Sequence, residues 1–108
     1  LPRRTGLPFL FLFGRCRLLP ADDGSLAGLR RQLDDVDEQM TALLARRLAL
    51  AGEIGRYKAA QGLPVLDEAR EKEVLARRGD LLPQRRQQVE RLFRLLMAES
   101  REEQEHHA

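Results

Sequence analysis

Arg47 stands in a row of apolar residues. From Ser25 to Ala60 the apolar positions recur at alternating steps of three and four: Leu26, Leu29, Leu33, Val36, Met40, Leu43, then Arg47, then Leu50, Ile54 and Tyr57. That is the 3.5-residue repeat of a helix packed along a seam. A guanidinium facing such a core is costly unless something anionic meets it. Lys58 follows 11 residues later, close to three full turns, so both cations point to one side with backbones roughly 16 Å apart. Leaning together, the two side chains leave a gap that suits a small molecule carrying carboxylates or ether oxygens. The spacing equally admits two surface cations, or an arginine paired with a buried acid.

Other polar residues invite the same question. Arg30 precedes Arg47 by 17 residues, roughly 25 Å along a helix, too far for both to grip one small ligand from the same chain. An antiparallel second chain would bring them together; otherwise Arg30 is a solvated helix residue, and Arg31 beside it competes for any role. Asp67, Arg70 and Glu71 cluster where a helix starts. Asp67 there is a good N-cap and the acids suit the helix dipole, while a carboxylate at that place could also bind a substrate hydroxyl. Ser100 and Gln104 lie one turn apart on the continuation of the apolar stripe Val89, Leu92, Phe93, Leu96 and Met97. They mark either a polar lining or a helix end returning to solvent. His106 and His107 are adjacent and face different ways, and no set of Cys or carboxylates completes a metal site with them. Phosphate-loop, dinucleotide and nucleophile motifs are absent.

The elements that position these residues are helices. Aromatics make up 5%, Trp is absent, and Leu, Ala, Arg, Glu and Gln dominate, which predicts an all-α chain. The first helix occupies the stretch from Ser25 to about Ala60, capped by Asp22, Asp23 or Ser25 and ended by Gly62 and Pro64. A short second helix runs from Glu68 to about Arg78, with Val74 and Leu75 inward and Gly79 as its stop. A third, of medium length, has Pro83 in its first turn and reaches about Glu105. Gly52 and Gly55 each cost about 1 kcal/mol of helix propensity, which close helix contact would justify. The first helix would be roughly 54 Å long, whereas a globule of this size is about 30 Å across. It must overhang, and its seam needs another chain to cover it, most simply in a twofold dimer.

The chain has 108 residues, which suggests one domain, expected at 25–108, with residues 1–24 as an extension or linker without fixed structure. Residues 7–13 form a short apolar run among arginines, a partial match to an export signal, but Gly14-Arg15-Cys16-Arg17 is a poor cleavage site. Four arginines and no acid fall in residues 1–20; removing them from the formal charge of +2 leaves residues 21–108 at −2. A slightly acidic body argues against nucleic acid as a partner. No run is long and apolar enough to span a bilayer. A lone Cys16 allows no internal disulfide and is compatible with the cytoplasm, the location expected.

Taken together, these residues resemble the all-helical (type II) chorismate mutases. The likeness covers about residues 26–104. It rests on Leu29-Arg30 with Asp37, on Leu44-Ala45-Arg46-Arg47 leading to Ile54-Gly55-Arg56-Tyr57-Lys58, on Gly62-Leu63-Pro64-Val65-Leu66-Asp67 followed by Arg70-Glu71, and on Phe93 ahead of Glu99-Ser100 and Gln104. The resemblance implies three helices per chain in an intertwined homodimer, with sites shared between chains. It implies the rearrangement of chorismate to prephenate, with no cofactor, no metal and no covalent intermediate. Arg47, and Arg30 from the partner chain, then look like clamps on the two substrate carboxylates. Lys58 and Gln104 look like donors to the ether oxygen, Glu71 and the Asp67 backbone like contacts to the ring hydroxyl, and Arg70 and Ser100 like further support at a carboxylate. Of these, Arg47, Lys58 and Gln104 are the expected catalytic residues. An isochorismate-pyruvate lyase of the same fold is the nearest alternative. A helical dimerisation module without activity is another, and it would tolerate Leu at positions 47, 58 and 104. A regulatory domain fused to a second enzyme is a third, though 108 residues leave no room for that enzyme.

Overall fold

The computed structural model describes residues 24–107, and these are all-helical: α1 (Leu26–Gln61), α2 (Glu68–Leu81), a 3-10 turn (Pro83–Arg85) and α3 (Arg86–His106). The expected extension, residues 1–24, lies outside the described residues except for Gly24, as do two of the three cap candidates, Asp22 and Asp23. By internal contacts the chain divides into two units, Leu1–Leu44 and Ala45–Ala108. None of the helices in the described residues is long and apolar enough to cross a membrane.

Local chemistry sets the helix ends. Ser25 caps α1, its Oγ accepting from the Gly28 N–H at 3.1 Å, which satisfies one of the unpaired donors of the first turn. At the other end Gly62 takes a left-handed φ of 69°. There the Leu63 N–H donates to the Lys58 carbonyl at 2.8 Å and the Gly62 N–H to Ala59 at 3.3 Å. This paired closure needs a residue free of Cβ strain at that φ, which glycine supplies. Asp67 caps α2 by accepting from the Arg70 N–H at 3.0 Å.

In the first unit the apolar row of α1 is exposed: Leu33 keeps 58% of its surface and Leu43 51%.

In the second unit the buried apolar core is small, made of Ala51, Val74 and Met97. Here the expected seam is displaced. Leu50, Ile54 and Tyr57 stay exposed, while Ala51, Gly52 and Gly55 are buried. The reason lies in residue size. At Gly55 an added Cβ would stand 2.7 Å from the Cα of Gln104 and 2.9 Å from its carbonyl carbon, so α1 and α3 approach backbone to backbone on the face that carries the smallest residues. Gly52 makes room for the His107 ring, 3.0 Å from where its Cβ would be. Leu92, expected in the buried stripe of α3, is also exposed, whereas Val89, Phe93 and Leu96 are half-buried.

The second helix does not stop at Gly79. It continues to Leu81, and Gly79 is buried within it at an ordinary negative φ. This glycine serves contact: the Arg86 side chain occupies the space a Cβ would fill. Arg86 is held there by an ion pair to Asp80 and a bond to the Ala76 carbonyl. Pro83 opens the 3-10 turn, and α3 follows from Arg86.

Candidate active site

A cleft of about 430 Å³ lies between the C-terminal half of α1, the α1–α2 connector, α2 and α3, wholly within the second unit. Its apolar walls include Leu50, Ile54, Val74 and Met97. Its polar lining is Arg47 and Lys58 from α1, Asp67, Arg70, Glu71 and Arg78 from the start and body of α2, and Ser100 and Gln104 from α3. The structure therefore brings together seven of the eight expected site residues. The eighth, Arg30, lies in the first unit, is exposed, and is not among the residues that line the cleft.

Arg47 is pinned from α3. Its Nη1 donates to the Ser100 hydroxyl and to the Leu96 carbonyl, the latter at 3.3 Å, and its Cζ lies 5.9 Å from the centre of the Phe93 ring. Both bonds use Nη1, so Nη2 and Nε remain as donors in the planar fork that fits a carboxylate. Burial, and after it the nearby positive charge of Arg78, lowers the Arg47 pKa from its ordinary value. A guanidinium so placed is still charged, and its unmet charge makes the cleft attractive to an anion.

Lys58 is fixed by two acceptors, the Val65 carbonyl at 2.7 Å and the Gln104 Oε1 at 2.8 Å. The second bond decides how the Gln104 amide faces. Its oxygen is taken by the ammonium, so its NH₂ is the end left to donate. Gln104 is 8% exposed and Ser100 9%, and α3 continues past both to His106. The stripe does not return to solvent at these positions. It carries two polar groups into a buried wall.

The acids are arranged differently. Glu71 pairs with Arg101 at 2.5 Å, which anchors α2 to α3 and fixes the carboxylate at the cleft rim. Asp67 has one oxygen engaged as the cap. Arg70, expected to support a carboxylate, turns instead to Glu73 at 2.8 Å and is mostly exposed. The Arg70 hydrogen bond first, and then the charge of Arg77, holds the Glu73 carboxyl below its usual range.

Arg78 was not legible as a lining residue, because nothing in its local spacing separates it from Arg77. Only the packing of α2 on α3 shows which of the two turns inward: Arg78 lies over the Phe93 ring at 5.7 Å, and Arg77 pairs with Glu73 at 3.0 Å.

The family described as chorismate mutase type II matches residues 29–105, and the chain belongs to that family. It is 46% identical over 57 residues to a 3-dehydroquinate dehydratase of Pyrobaculum aerophilum, covering 53% of this chain and 19% of that protein. It is 45% identical over 53 residues to a T-protein of Enterobacter agglomerans, covering 49% of this chain and 14% of that protein. To a chorismate mutase of Methanocaldococcus jannaschii it is 35% identical over 52 residues, covering 48% of this chain and 52% of that protein. The chain thus spans about half, or much less, of the length of these curated relatives. No solved structure matches.

Proposed function

We propose that the chain is a chorismate mutase, converting chorismate to prephenate in the cytoplasm through the helical domain at 25–108, as a homodimer in which Arg30 of one chain completes the cleft of the other. The observation that carries this reading is the convergence of Arg47, Lys58, Ser100 and Gln104 on one cleft in a chain of this family. The exposed seam at Leu33 and Leu43 supports the dimer, since a second copy would cover it.

The reaction is unimolecular. One C–O bond breaks while one C–C bond forms, so no nucleophile or general base is called for. What it needs is a compact substrate shape and donors at the ether oxygen, where negative charge grows. Arg47, with two donors still free, holds one carboxylate. Arg30 from the second chain holds the other. Lys58 and Gln104, held together by the 2.8 Å bond from the ammonium to Oε1, meet the ether oxygen through the ammonium and the amide NH₂ without reorganising as charge develops. Glu71 accepts from the ring hydroxyl, the Asp67 backbone contacts the same group, and Ser100 supports a carboxylate by holding Arg47 in place.

The test gives chorismate and isochorismate to the purified protein in parallel. Loss of chorismate absorbance with prephenate as product is expected. Pyruvate release from isochorismate at a higher kcat/KM than turnover of chorismate would replace this reading with the lyase.

A further inference from the structure

Arg78 sits where no carboxylate answers it. On α2 and α3, Arg70, Arg77, Arg86, Arg94 and Arg101 each hold an acid. Among the described residues, Arg47 and Arg78 form no ion pair. These two are the half-buried guanidiniums that border the Phe93 ring, at 5.9 and 5.7 Å from its centre, and both line the same cleft. Two like charges, partly desolvated and facing one space, repel each other and hold that arrangement at a cost. An anion between them would reverse the sign of the interaction.

The cleft also has a direction. Lys58 and Asp67 mark one end. Arg47 lies 11 residues before Lys58 on α1, and Arg78 lies 11 residues after Asp67 on α2, in each case about three turns away. The two arginines therefore share an end with Ser100, which bonds Arg47, and the amide and ammonium of Gln104 and Lys58 occupy the other.

We propose that Arg78 is a substrate-binding residue, the second guanidinium on the carboxylate that Arg47 grips, and that Arg70, turned to Glu73, does not fill that place. The inference rests on the proposed dicarboxylate substrate and adds a specificity to it: the Arg47 end selects ligands that carry a full negative charge there. Because Arg78 meets a group whose charge is constant through the reaction, it contributes equally to ground and transition states, and its loss is read in KM.

The experiment compares wild type, Arg78→Gln and Arg78→Lys by chorismate turnover, by calorimetric titration with chorismate, and by melting without ligand. Arg78→Gln is expected to raise KM and Kd about ten- to a hundred-fold, with kcat within a few-fold of wild type, and Arg78→Lys to recover part of the loss. Removal of a like charge leaves the melting temperature of the free protein unchanged or higher, whereas a merely structural arginine would lower it. Unchanged KM and Kd in an active Arg78→Gln protein would overturn the proposal and leave the reaction standing. Chorismate bound with the same dependence on Arg78, but not turned over, would keep the site and remove the reaction. A wild type that does not bind chorismate overturns both.

Discussion

Replacing Gln104 by Glu changes one donor into a titrating group. In the structure Gln104 accepts from Lys58 at 2.8 Å through Oε1, so Gln104→Glu keeps that bond and exchanges the NH₂ for a carboxyl oxygen. Ionised, that oxygen cannot donate and repels the ether oxygen as charge grows on it. Loss of one such donor costs about 10²–10³ in kcat. Protonated, it donates again. Burial of the position, 8% exposed, pushes the new carboxyl's pKa up and Lys58 pulls it down. Taking the ordinary Glu value of about 4.3 as the reference, the protonated fraction rises roughly 260-fold from pH 7.5 to pH 5. The assay is kcat/KM for chorismate across that range, with wild type measured alongside. The variant should be nearly inactive at pH 7.5 and recover steeply towards pH 5, while wild type changes little. A variant with normal turnover and a flat profile would refute the placement of Gln104 at the breaking bond.

Two further outcomes follow from the packing and the proposed dimer. Gly55→Ala puts a methyl 2.7 Å from the Gln104 Cα, so α1 and α3 must part, and about 1–3 kcal/mol of stability should be lost. Gly52→Ala meets only the end of the His107 ring and should cost clearly less in denaturant unfolding; equal losses would contradict the backbone-contact account. Arg30→Ala and Arg47→Ala proteins should each be inactive, yet mixing them after unfolding and refolding should restore up to about a quarter of wild-type activity, because half the dimers would carry one intact site. No recovery in mixed dimers would remove Arg30 from the shared site.

Much of this was legible in the chain. Ser25, Gly62 and Asp67 announce helix ends through short-range chemistry that any sequence displays. Arg47, Lys58 and Gln104 stand out because a polar residue at an apolar position violates the pattern around it. What stayed hidden depends on which faces meet. Gly79 reads as a stop when glycine is taken to supply a left-handed turn, but here it clears space for Arg86. The seam Leu50, Ile54 and Tyr57 reads as a core, while α3 chooses the glycine face beside it. Arg77 and Arg78 are indistinguishable until α2 is docked. His107, set aside as a metal ligand, closes the end of α3 onto α1: its Nδ1 meets Arg56 at 3.2 Å and its Nε2 meets Glu103 at 3.1 Å.

The central claim is that cations and an amide in this cleft hold a small dianion in its reactive shape. Its most direct measurement is the rate of chorismate loss with wild type and with Arg47→Ala, both shown by sedimentation to have the same oligomeric state. Turnover by wild type, reduced by several orders of magnitude in the variant, is the predicted result. A wild-type rate no faster than chorismate alone in buffer, or two proteins of equal rate, would contradict it.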